Sequence, residues 1–147
     1  MIQVAVDPAL LVRGLLSPTG SNDFIIQALR ERRFILFTSE ALLGDVARLL
    51  EYPGLQRKYN LTDAVRGGLV AQLRARASVV APAGKLDFCP NPHDNHLLEV
   101  AFYSHAEYVV TENDALHDGT ALAWFFIERS TRAIRLAEFA RILRGEP

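Results

Sequence analysis

Apolar and polar positions fall into short blocks along the chain, and their period switches between that of a strand and that of a helix. The first block, Ile2-Gln3-Val4-Ala5-Val6-Asp7, is an apolar run closed by a carboxylate, followed by Pro8 and an apolar stretch from Leu10 to Leu16. It reads as strand, tight turn, helix. Residues 17–22, Ser-Pro-Thr-Gly-Ser-Asn, form a turn cluster, and Phe24, Ile25, Ala28 and Leu29 give helical spacing from about Asp23 to Glu31. The run Arg33 to Thr38 is apolar without alternation, as expected of a parallel strand covered on both faces.

Ser39 is placed to cap a helix that runs to Glu51 and stops before Pro53, with Leu42, Leu43, Val46, Leu49 and Leu50 as its apolar stripe. Asp45 lies at the margin of that stripe, directed along the core rather than into water. Residues 52–59 connect, with one helical turn over 55–58. Thr62 caps a helix to Ala77 with Val65, Leu69, Val70 and Leu73 inward, although Gly67-Gly68 weakens it. A short strand at 78–80 leads into a Pro-containing loop and then a helix from Pro92 or His93 to Ser104. At about 100° per residue, Leu97, Leu98 and Ala101 define its inward face, and Asp94 falls in the middle of it. Glu107 to Thr111 is a further strand, ended by the polar cluster Thr111-Glu112-Asn113-Asp114. Beyond it the pattern is ambiguous: Ala121 to Ile127 suits a strand or a short helix. A strand near Trp124–Ile127 and a closing helix near Ala137–Leu143 are the preferred reading. The order predicts one α/β domain over residues 1–147, a three-layer α/β/α sandwich with a mainly parallel central sheet.

Composition narrows this little. Half of the 147 residues are hydrophobic and the net charge is −1, so no whole-molecule field advertises nucleic acid or an anionic membrane. The basic charge is mostly Arg and locally clustered, a form suited to planar contacts with phosphate. Cys89 is the single cysteine, which excludes an internal disulfide and fits a reducing cytoplasm. No signal sequence or membrane-length apolar run is visible.

The candidate chemistry is a set of acids at related places. Asp7 ends a strand, Asp45 flanks a core-facing stripe, Asp94 opens a helix toward the core, and Asn113 and Asp114 follow a later strand. Carboxylates gathered at one sheet edge repel each other unless a cation or a proton neutralises them. Mg²⁺ or Mn²⁺ suits such a set. Dipole complementation alone also accounts for an acid where Asp94 stands.

In the order and spacing of these segments the chain resembles the PIN-domain nucleases, specifically the branch of toxin components of toxin–antitoxin pairs. The resemblance rests on Val4-Ala5-Val6-Asp7-Pro8-Ala9-Leu10-Leu11-Val12, on Phe37-Thr38-Ser39 running to Asp45, on Pro53 to Tyr59, on Asn91-Pro92-His93-Asp94-Asn95, and on Val109-Val110-Thr111-Glu112-Asn113-Asp114. It implies a metal-dependent endoribonuclease acting on single-stranded RNA, held by a cognate antitoxin and forming a homodimer. Asp7, Asp45 and Asp94 would hold Mg²⁺ or Mn²⁺, with Asn113 or Asp114 completing the pocket. Arg13 is the first candidate for the RNA backbone. Six positions depart from the family pattern: Pro8, Ala9, Asn91, His93, Asn95 and Ala115. With fewer carboxylates the ion binds more weakly, and a catalytically silent domain that binds RNA or protein is the alternative. A flavodoxin-like phospho-acceptor lacks its acid pair and late Lys.

Three further features have bland readings. His93 and His96 are spaced to share one side of a helix, but no second ligand pair stands at a usual zinc spacing, and structural zinc takes four ligands. His105 and His117 read as solvated, and Trp124-Phe125-Phe126 as core or dimer interface rather than a base-stacking platform.

Overall fold

The computed structural model describes residues 1–17 and 23–145, and their side chains except at 23, 120, 121 and 124. The turn cluster therefore lies mostly outside the described residues, as does the Trp124 side chain. Among the described residues the sheet has five strands: β1 (Gln3–Val6), β2 (Ile35–Thr38), β3 (Ser78–Val79), β4 (Tyr108–Val110) and β5 (Arg132–Ile134). Their order is β3-β2-β1-β4-β5, every neighbouring pair parallel. The first strand is thus the central one, with Ala5 facing Phe37 on one side and Val109 on the other.

The unbroken apolar runs are explained by burial on both faces. Val4, Val6, Leu36, Val110 and Ile134 pack into one layer, and Ala5 and Val109 into the other. The first layer takes α1 (Pro8–Leu16), α2 (Asp23–Arg30), α3 (Glu40–Leu49) and α9 (Leu136–Leu143), through residues such as Leu11, Ile25, Val46 and Phe139. The second takes α6 (Pro92–Ser104) and α8 (Thr120–Arg129), through Leu97, Leu98 and Phe125. The chain is an α/β sandwich with helices on both sides of an all-parallel sheet. Among the described residues no helix is long and apolar enough to cross a membrane.

Helix starts follow local chemistry. The Asp7 carboxylate accepts from the Ala9 N–H at 2.9 Å and Pro8 opens α1. Ser39 caps α3 by accepting from the Leu42 N–H, and Asn91 with Pro92 opens α6 in the same way. Thr62 caps α5 (Asp63–Arg76), preceded by α4 (Pro53–Tyr59), which is longer than the single expected turn. Because the sheet is parallel, Asp7, Ser39 and Thr111 all follow strands at the same carboxyl edge, where open α/β sheets present their ligand crevice.

Three expectations fail. The strand placed near Trp124–Ile127 is the body of α8: Leu122 and Phe125 are buried at helical spacing while Ile127 is 76% exposed. The last strand is β5, three residues long, too short for a readable period. On α5 only Leu73 is fully buried and Val65 is exposed, so that helix leans on the core by one end of its stripe. Third, His117 is not in a solvated loop but in α7 (Ala115–Asp118), its Nε2 2.8 Å from the Thr111 carbonyl.

Candidate metal centre

Three structural levers set the acidic edge. Asp7 is fixed twice: Oδ1 accepts from the Ala9 N–H, and Oδ2 accepts from the Thr111 hydroxyl at 2.7 Å. Thr111 is fully buried at the end of β4, and its Oγ1 also accepts from the Asn113 N–H at 3.0 Å. One hydroxyl therefore joins the caps of two neighbouring strands.

Asp45 is 5% exposed, on the inward side of α3. Its two oxygens are divided between two imidazoles of the first two turns of α6. Oδ1 is 2.8 Å from His93 Nδ1, and Oδ2 is 2.8 Å from His96 Nδ1. The ring centroids stand 5.5 Å apart. The sequence spacing of the histidines was visible, but the acid between them was not, because it lies on another helix.

Asp94, half-buried, has Oδ2 accepting from Asn113 Nδ2 at 3.2 Å. Burial pushes its carboxyl above the ordinary value. The Asn113 hydrogen bond and His93 pull it down, while the Asp7 and Asp45 carboxylates push it further up. These effects on Asp94 mark Asp7 and Asp45 as its electrostatic neighbours, although the three come from the start of α1, the middle of α3 and the start of α6. Among the described residues no Lys or Arg pairs with any of the three. Each Asp7 oxygen holds one protein donor and keeps a lone pair. This donor set fits a hard divalent cation, which would supply positive charge where no Lys or Arg does among the described residues.

The remaining candidates divide. Asn113 reaches the acids, and its Oδ1 accepts from the Ala115 N–H at 3.0 Å. Asp114 is directed elsewhere: its Oδ1 accepts from Arg135 at 2.6 Å and its side chain is 79% exposed. Arg13 is exposed in the last turn of α1. Burial, and then the Asp94 carboxylate, push the Cys89 thiol up, which makes it a poor ligand.

The two asparagines that depart from the acidic pattern have structural work. Asn91 caps α6. Asn95 is buried, its Oδ1 accepting from the Phe88 and Cys89 N–H groups at 3.0 and 2.9 Å, and its Nδ2 donating to the Cys89 carbonyl. The buried Glu99 likewise accepts from the Leu86 N–H, so two α6 side chains hold the preceding loop.

The family model described as PIN domain matches residues 3–115, a span that opens at β1 and closes just past Asn113 and Asp114. No curated protein matches the chain.

Proposed function

This chain belongs to the PIN-domain family, whose fold goes with nuclease activity and divalent metal ions, and on that premise we propose a metal-dependent endoribonuclease that cleaves single-stranded RNA. In this reading residues 1–147 form one cytoplasmic domain, a homodimer, acting as the toxin of a toxin–antitoxin pair and held by its antitoxin. Asp7, Asp45 and Asp94 hold Mg²⁺ or Mn²⁺. When bound, such an ion polarises a phosphoryl oxygen and lowers the pKa of its water.

The protein's own groups orient the rest. Thr111 and the Ala9 N–H fix the Asp7 carboxylate, and Asn113 holds one oxygen of Asp94. Of the two residues considered for completing the pocket, Asn113 takes the role, since Asp114 is engaged by Arg135. Arg13 positions the RNA backbone through its phosphates, which fixes register without reading bases.

The observation that supports the proposal most is that Thr111 holds Asp7 and, through Asn113, the same loop holds Asp94, whose carboxyl is pushed up by Asp7 and Asp45, with no Lys or Arg paired to the three among the described residues. The test gives purified protein single-stranded RNA with Mg²⁺ or Mn²⁺, beside Asp94→Asn. Metal-dependent cleavage by the parent alone is expected. No such cleavage by either protein would favour the second reading, a silent domain that binds RNA or protein. One observation favours that reading: both Asp45 oxygens already accept from imidazoles.

A further inference from the structure

The structure assigns a second kind of metal site to Asp45, His93 and His96: a mixed nitrogen–oxygen centre for a zinc-class ion, distinct in donor chemistry from an all-carboxylate Mg²⁺ site. One donor atom from each residue lies within 4.8 Å of the others. The Asp45 carboxylate is buried, and each of its oxygens stands 2.8 Å from an imidazole nitrogen, so one acid and two histidines from two helices present their ligand atoms to one point.

Two donors bound to one zinc ion at about 2.1 Å lie roughly 3.4 Å apart at the tetrahedral angle, a spacing inside the 4.8 Å that bounds the three ligand atoms here. Both rings then carry their proton on Nε2 and offer the Nδ1 lone pair to the ion. The histidines have room for this, at 48% and 28% side-chain exposure, while Asp45 stays anchored in α3. Imidazole suits zinc, cobalt and nickel, and Mg²⁺ takes oxygen ligands. With three protein ligands the centre is open to water or a substrate oxygen in its remaining position.

The inference goes beyond the ribonuclease reading and is tested without RNA. Metal-stripped full-length protein is titrated with Co²⁺, followed by visible absorption, and with Zn²⁺ by calorimetry, each in a large excess of Mg²⁺. Expected is a single Co²⁺ with d–d bands, displaced by Zn²⁺ and indifferent to Mg²⁺. His93→Ala and His96→Ala should each weaken Co²⁺ binding about tenfold or more. His105→Ala, at the exposed end of α6, should bind as the parent does. Far-ultraviolet circular dichroism checks that each variant is folded. Unchanged Co²⁺ affinity in the folded double variant, or displacement of Co²⁺ by Mg²⁺, would overturn the assignment. The two sites share Asp45, but neither result depends on whether RNA is cut, and the His93 and His96 variants leave Asp7, Asp45 and Asp94 in place, so failure of this assignment is distinguishable from failure of the ribonuclease reading.

Discussion

Asp94 sits in the first turn of α6, where the helix dipole favours an anion, yet burial and two neighbouring acids oppose its ionisation. Its folded pKa is raised, so the protonated form is the one the fold prefers. That contribution is fully present below the ordinary carboxylate pKa and is lost as pH rises through the raised value. At neutral pH without metal, charged Asp94 therefore destabilises the protein. Asp94→Asn should melt higher than the parent in EDTA at pH 7, with the gap closing as pH falls toward the ordinary carboxylate range; calorimetry across pH reads this directly, and a lower-melting variant at pH 7 would refute it. Asn95 gives the converse case. Removing its side chain strands one buried and one half-buried N–H group, so Asn95→Ala should cost about 1–3 kcal/mol in urea unfolding. The acids at 7, 45 and 94 stood out in the sequence because each broke an apolar pattern. The partnership of His96 with Asp45 did not, since the two are 51 positions apart and nothing local encodes the pairing.

Caps and punctuation made most elements legible: Ser39, Thr62 and Pro92 stand where α3, α5 and α6 begin. The failures came where packing rather than local sequence decides. Residues 120–129 carry an aromatic run that suits either period, and only the exposure of Ile127 beside buried Phe125 shows a one-sided helix. That helix ends at Ser130 in the left-handed region, a residue type that does not announce such a cap. On α5 the paired glycines have nothing within 4 Å of where a Cβ would stand. Gly67→Ala and Gly68→Ala should each stabilise by about 0.5–1 kcal/mol, by restricting the unfolded chain and restoring helix propensity. Chemical denaturation measures the gain, and a loss at either position would reveal a contact made by the glycine backbone.

At the scale of the molecule, the three-layer plan was readable because buried parallel strands leave unalternated apolar runs, whereas the order of strands is set by long-range pairing. The acids converge only because that order puts β1 in the centre, beside both β2 and β4. A divalent ion held by the proposed acids would bind the native state alone, so Mn²⁺ should raise the melting temperature of the parent, and do so less in Asp7→Asn. An equal shift in both would place the ion elsewhere. The central position of β1 has one more consequence. Its amides are bonded between two neighbours, and the Asp7 N–H continues the ladder to the Val110 carbonyl at 2.9 Å, while β3 is a two-residue edge beside the largely exposed α5. Deuterium should therefore enter α4 and α5 by local fraying and reach Val4 to Asp7 only through global opening. A protease nick between those outer helices would leave the acidic hollow assembled.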